Sequence, residues 1–292
     1  MTAYYLQLTA NGLIAGFIYA MFAVGLTLVY GVFRFINFAH GELIAWGAYL
    51  PLLFIGPPFF LPLWLAAIPA LAGVVAIGIA QDRLVYTPLR QKDRITLLIA
   101  SIGLSYLLRN LLRLIWGSEL TTYGRELTRG IRLPAGISIT PVQIAMIGTA
   151  LISLGFLYFL LTRTLVGKQL RAAADNLELA GIIGIDMRRV SVTVWTLAAL
   201  FAGIGGILTA LDTNLEPLMG LTNLLKAFAA VLLGGAGNVW GALLGGLCIG
   251  ITENLSVAFF SPGYKDFVSF LLIILMLLFR PRGIFGITDG MR

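Results

Sequence analysis

Long uncharged apolar runs alternate with short polar segments along this chain. An α-helix needs roughly 20 residues to cross a hydrocarbon core about 30 Å thick. Residues 6–33 form the first such run, with Gly12 and Gly16 at the small-xxx-small spacing that lets two helices approach closely. Residues 43–56 and 59–81 follow, split by Gly56-Pro57-Pro58, a turn that no helix continues through. A polar segment from Asp82 to Arg94 precedes spans at 95–116 and 141–162, which are separated by a polar loop from Gly117 to Thr140. A span at 191–211 leads through Asp212, Glu216 and Pro217 into an interrupted apolar region, 224–259. Residues 267–279 make a short last span, stopped by Arg280-Pro281-Arg282-Gly283. The pattern predicts an all-α transmembrane helical bundle of about eight or nine membrane segments, folded as a single domain over residues 1–292.

The longest polar stretch runs from Arg163 to Val190. Within it Leu170, Ala174, Leu177 and Gly181 recur at i, i+4, i+7 and i+11 as a small apolar stripe. Arg171, Asp175 and Glu178 recur on a different face, so one amphipathic helix is expected. Such a helix between two spans suits docking onto a soluble partner, or lying at the lipid surface through its basic residues.

Composition narrows the class. A chain of 292 residues that is 59% hydrophobic and 11% charged is a polytopic membrane protein, not a soluble domain. Its apolar runs are continuous, which excludes barrel strands. The net charge of +7 is no nucleic-acid signal, because basic residues of membrane proteins gather in cytoplasmic loops. Most of the 20 Lys and Arg lie at Arg34, in 82–94, in 163–190 and in the C-terminal tail. All four fit on the cytoplasmic side if 224–259 goes in and back out, which puts the N-terminus outside and the C-terminus inside. Arg125, Arg129 and Arg132 in the 117–140 loop run against this, partly offset by Glu119 and Glu126. The first charged residue is Arg34, so the start lacks the basic region of a cleavable signal peptide and is expected to be structural. One cysteine, Cys248, allows no internal disulfide, and one histidine, His40, allows no multi-histidine metal site.

Two places interrupt the apolar pattern. Phe35 to Glu42 sets Asn37, His40 and Glu42 between two spans, where ionisable groups are expensive. Either this is a non-helical break lining a pathway, with Gly41 allowing the turn, or a tight turn in which His40 or Asn37 caps the next helix. The second break carries Gly234, Gly235, Gly237 and Asn238. It fits a re-entrant turn of the kind used for binding or gating in transporters, or close helix packing, since Gly237, Gly241 and Gly245 sit four apart, or both, with a hairpin turning at Gly234–Gly237 and packing through the later glycines. Lys226 and Glu253 fall near segment ends and read as interfacial. Arg109 and Arg113 form a basic stripe whose default partner is the headgroups of membrane lipid. No phosphate loop is present, since Gly167-Lys168 lacks the glycine five residues earlier and a following Ser or Thr. With no paired carboxylates and a single His, no catalytic or cofactor-binding residue is expected.

The chain resembles the permease subunits of branched-chain amino-acid ABC importers, the H-type member of an H/M pair. The resemblance is carried by Asn37-Phe-Ala-His-Gly-Glu42, Arg83-Leu-Val-Tyr-Thr-Pro-Leu-Arg90, Ile99 to Ser105, Gly167 to Asp186, Val231 to Gly235 and Tyr264 to Phe270. One departure is Asn238-Val-Trp-Gly241, where the family tends to carry Ser and often Pro. The resemblance implies that 163–190 is a coupling loop fitting a groove on an ATPase subunit, through Gly167, Arg171, Ala172, Asp175, Asn176, Glu178, Gly184 and Asp186. It implies two cytoplasmic ATP-binding subunits that hydrolyse ATP with Mg, a second permease (M-type or a second copy), a periplasmic substrate-binding protein and a bacterial inner membrane. Asn37, His40, Gly41, Glu42, Gly234, Gly235, Gly237 and Asn238 are then expected to flank the transport pathway. Related permeases import urea, short amides or other amino acids. Rival readings are an ion-coupled secondary transporter with Glu42 or Glu253 as proton carrier, and a passive channel.

Overall fold

The structure is a computed structural model and describes residues 2–124, 130–132, 136–280 and 283–285. Arg125, Glu126, Arg129, Pro281 and Arg282 lie outside the described residues, and Arg132 is described only in its backbone. Among the described residues seven helices are long and apolar enough to cross a membrane, and two shorter apolar stretches, His40–Ile55 and Met219–Gly234, accompany them.

Helix α1 (Thr2–Phe33) is the hub. It is followed by α2 (His40–Tyr49), α3 (Leu52–Ile55) and α4 (Leu63–Gln81), and α4 continues through a π-helical turn, Asp82–Tyr86, into α5 (Thr87–Leu89). Then come α6 (Arg94–Trp116), α7 (Pro141–Arg163), α8 (Leu165–Asp175), α9 (Leu177–Ile182), α10 (Met187–Asp212), α11 (Met219–Gly234), α12 (Val239–Ser256) and α13 (Lys265–Phe279). A short antiparallel pair, β1 (Ile131–Arg132) and β2 (Ser138–Ile139), lies in the loop before α7. Local chemistry sets several helix starts. Thr140 and Gln143 form a reciprocal capping box at α7, with Pro141 in the first turn where its missing N–H costs nothing.

Small residues let the central helices touch. A Cβ at Gly16 would lie 2.9 Å from Cα of Leu247, and one at Gly246 2.5 Å from N of Ala20, so α1 and α12 pack backbone to backbone. Gly47 of α2 meets Gly203 of α10 in the same way. Arg34, the 82–94 segment, the start of α10 and the 235–238 turn gather at one end of the bundle, linked by Arg34 to Ala174, Arg90 to Ser191 and Gly237 to Thr27. The opposite end is closed by backbone bonds between Thr121 and Leu215 and by Gln7 with Ser138.

Two helices start inside the bundle. After α1 the chain folds back, and His40 at the start of α2 contacts the carbonyl of Phe22 at 3.2 Å. Phe22 precedes the end of α1 by about three turns, roughly 16 Å. Gly220, near the start of α11, packs against Gly41 of α2, so α11 also begins in the interior.

The expectation of one helix across 163–190 is corrected. Asn176 leaves helical geometry at φ −152 and ψ 108, ends α8 and caps α9 by accepting a bond from Leu179 N. Its short amide competes for backbone groups, the habit that makes Asn a capping residue.

Candidate coupling surface and transport pathway

The segment after α7 is bolted to the bundle at both ends. Thr164 caps α8 by accepting from Gly167 N at 3.1 Å. Gly167 is packed against the carbonyls of Leu160 and Leu161, where no side chain fits. The guanidinium of Arg171 donates to the carbonyl of Leu161, and Arg34 donates to the carbonyl of Ala174 at 2.7 Å. Gly184 takes φ +91, a conformation open to glycine, and turns the chain toward Asp186. The Asp186 carboxylate accepts from the N–H groups of Arg188 and Arg189 and starts α10. Gly167, Arg171, Asn176, Gly184 and Asp186 therefore shape the segment, and Ala172 sits half-buried.

Asp175 and Glu178 differ from these. Both are exposed and make no ion pair among the described residues. The expected apolar stripe holds only in its first turns. Leu170 is buried, Ala174 and Leu177 are half-buried, and Gly181 is exposed because the break at Asn176 rotates α9. Exposed instead are Leu179, Ile182 and Ile183, with Ile182 at 81%. Periodicity carried through Asn176 hid this apolar tip.

At the first break the polar groups are enclosed and most bond to their neighbours, while Asn37 Nδ2, His40 Nδ1 and Glu42 Oε2 are buried without a hydrogen-bond partner. Tyr86 donates to Asn37 Oδ1 at 2.8 Å, and the same oxygen accepts from Ala39 N. Gly41 lies against the carbonyl of Gly220. Glu42 accepts from Ser105 at 2.9 Å and from Arg109 at 3.0 and 2.5 Å. Asn37, His40 and Glu42 have no exposed surface. In this conformation they border neither of the two cavities described below and act as bracing. Arg109 is also corrected: it is a buried ion-pair partner of Glu42, not a headgroup contact.

The second break is a hairpin turn joining α11 to α12. Gly234 packs against the carbonyl of Gly241, and Gly235 and Gly237 take φ +103 and +90. Asn238 caps α12 by accepting from Trp240 N and Gly241 N. Gly237 and Asn238 border a cavity of about 540 Å³ whose wall includes Arg171 and Ala174 of the coupling segment and Thr27 of α1. Of the expected pathway residues, these two face open space.

Sequence reasoning misjudged Lys226 and Glu253. They are not interfacial: Lys226 Nζ lies 3.0 Å from Glu253, 3.0 Å from Asp266 and 3.1 Å from the Tyr19 hydroxyl. This mostly buried cluster ties α1, α11, α12 and α13 together, across sequence separations no local pattern reveals. Tyr19 and Lys226 also border a second cavity of about 360 Å³ at the end opposite the coupling segment.

Residues 8–277 match the family described as branched-chain amino acid transport system, permease component. The chain is 34% identical over 295 residues to the high-affinity branched-chain amino acid transport system permease protein LivH of Escherichia coli (strain K12), covering 97% of this chain and 96% of that one. It is 35% identical over 298 residues to BraD of Pseudomonas aeruginosa, covering 97% and 96%. It is 27% identical over 273 residues to the ribose import permease protein RbsC of Escherichia coli (strain K12), covering 89% and 81%. A match spanning residues 8–277, joined by full-length relatives above 30% identity, means that this chain belongs to the family of branched-chain amino acid transport permeases.

Proposed function

We propose that this chain is the membrane-spanning permease subunit of an ATP-binding-cassette importer that carries branched-chain amino acids inward by alternating access. The observation that carries the reading is the double tethering of α8 and α9. Arg171 holds the segment to α7, Arg34 holds it to α1, and Asp186 starts α10 from it. A partner that grips the exposed Asp175, Glu178, Leu179 and Ile182 would therefore move three spans together. Charged and apolar groups side by side suit a groove on a soluble protein better than a lipid surface.

On this reading two cytoplasmic ATP-binding subunits supply ATP hydrolysis, a second permease subunit or a second copy completes the pathway, and a periplasmic protein delivers substrate. The chain sits in a bacterial inner membrane with its N-terminus outside and its C-terminus cytoplasmic. The substrate follows LivH and BraD rather than RbsC, because those matches are longer and more identical. A proton carrier at Glu42 or Glu253 is disfavoured, since Arg109 and Lys226 hold both carboxylates in ion pairs.

The test is ATPase activity and uptake in reconstituted membranes, with the neighbouring subunits co-expressed and leucine, other amino acids or urea presented on their binding proteins. Leucine should stimulate both. Asp175→Arg and Glu178→Arg should each lower stimulation at least about tenfold, about 1.4 kcal/mol of docking. Intact coupling in both variants would remove the segment from its assigned role. Stimulation by urea alone would change the substrate and keep the transporter class.

A further inference from the structure

The cavity of about 540 Å³ beside the coupling segment is bounded by α1, the end of α7, α8, α10 and the start of α12. Leu28, Val32, Leu161, Leu170, Val194 and Val239 make its wall mostly apolar, and among the described residues no acidic one borders it. Its smaller polar groups are engaged elsewhere. The Thr27 hydroxyl accepts from Gly237 N, Thr162 donates to the Tyr158 carbonyl, and the Asn238 amide donates to the Phe285 carbonyl. Water would therefore find few partners in the space. Arg171 is different. Its Nη1 donates to the Leu161 carbonyl, while its Nε and Nη2 groups have no partner among the described residues. Two more cations stand close by. Arg163 ends α7 two residues past Leu161, and Lys168 precedes Arg171 by one turn of α8; both are exposed and form no ion pair among the described residues. Trp240 of the cavity wall reaches Tyr158 of α7, ring centres 5.4 Å apart, and both side chains are exposed. Such rings gather where hydrocarbon meets headgroups.

We propose that this cavity holds an acyl chain of one anionic phospholipid, whose phosphate sits against Arg171, Arg163 and Lys168. Polarity and charge select this occupant together. The apolar wall suits hydrocarbon, and the volume falls in the usual range of ligand sites, roughly 300–1,000 Å³. Three cations suit a phosphate, and the guanidinium of Arg171 can pair with it through two N–H groups. A zwitterionic headgroup would bring its own cation to a rim that already carries three. A free amino acid would find no carboxylate here for its ammonium, so the cavity is no stop on a substrate's route. Basic pockets between spans are recurring headgroup sites on the cytoplasmic side of membranes. The walls belong to α1, α8 and the turn before α12, so the lipid fills the joint between the coupling segment and the bundle.

Native mass spectrometry of the full chain in detergent tests this, with phosphatidylglycerol or phosphatidylcholine of the same acyl chains titrated in. One phosphatidylglycerol should bind saturably and more tightly than phosphatidylcholine. Gly31 lines the cavity, and a Cβ there would meet nothing closer than 3.6 Å. Gly31→Leu should therefore fill the space and weaken that binding at least about tenfold, the worth of roughly two buried methylenes. Thr162→Leu fills the same cavity from α7 and should act alike. Gly148→Leu, on an open face of α7, should change nothing. Arg163→Gln and Lys168→Gln should each lower the preference for phosphatidylglycerol about fivefold, the weight of one cation at an anionic surface. These two substitutions are exposed and leave packing alone, so they decide the matter even where a filled cavity prevents folding. Absence of saturable binding, a preference unmoved by both charge variants, or equal losses in Gly31→Leu and Gly148→Leu would overturn the site. Competition by glycerol phosphate would assign the cations to a free phosphate instead. Expulsion of the lipid by bound ATP-binding subunits would hand the cavity to a partner segment, and either result sinks the lipid assignment.

Discussion

Glu42 and Arg109 carry opposite charges into the apolar centre of the bundle, with side chains 0% and 8% exposed. Taking both out of water is costly, and the pair persists because Arg109 donates twice to one oxygen and Ser105 donates to it as well. Removing one partner strands the other, so Glu42→Leu or Arg109→Leu should each cost roughly 3–5 kcal/mol. The double variant should recover most of that loss, because no charge is then left unpaired. Thermal unfolding of the detergent-purified chain reads this directly, and additive losses in the double variant would show that the two charges do not depend on each other. Glu42 was recognisable in the sequence as a group out of place between two spans. Its partner was not, because the two residues are 67 apart and meet only when α2 starts inside the bundle. Lys226 and Glu253 were misjudged for the same reason.

At the level of elements, glycine spacing was readable but its consequence was not uniform. Gly12, Gly16, Gly246 and Gly250 repeat at four and do hold α1 against α12. Gly148 and Gly155 of α7 have nothing within 4 Å of a Cβ. Gly246→Val should therefore cost about 1–3 kcal/mol or more through overpacking. Gly148→Ala and Gly155→Ala should be neutral, or gain up to about 1 kcal/mol each from helix propensity. A melting series on the isolated chain checks both halves, and equal losses at Gly246 and Gly148 would contradict the packing described. The coupling segment shows a complementary limit of pattern. Helical periodicity is continuous through Asn176, yet its side chain caps a new helix at that point. Asn176→Ala should cost about 1 kcal/mol at the cap. It should also reduce ATPase association by letting α8 and α9 rejoin in a different direction.

Across the whole molecule, the spans that sequence located best are those whose hydrophobicity decides their place without help from neighbours. The expected 95–116, 141–162 and 191–211 lie within a few residues of α6, α7 and α10. The interior-starting helices were blurred, since a short helix buried by its neighbours looks from sequence like part of a longer run. Residues 43–56 became α2 and α3, and 224–259, expected to go in and back out, is split into α11 and α12 as expected, with α11 starting earlier, at Met219. That split fixes the topology. With α11 and α12 forming a hairpin, the turn at 235–238 lies at the same end as Arg34 and the coupling segment, as the tie between Gly237 and Thr27 requires. The basic residues then place that end in the cytoplasm. Single cysteines on a Cys248→Ser background make the consequence measurable in intact cells and in inside-out vesicles. Glu178→Cys and Trp240→Cys should react with a membrane-impermeant reagent only in inside-out vesicles. Thr213→Cys should react only in intact cells. If Glu178→Cys and Trp240→Cys reacted from opposite sides, α11 and α12 could not form the hairpin, and the cavity shared by Arg171 and Asn238 could not exist as described.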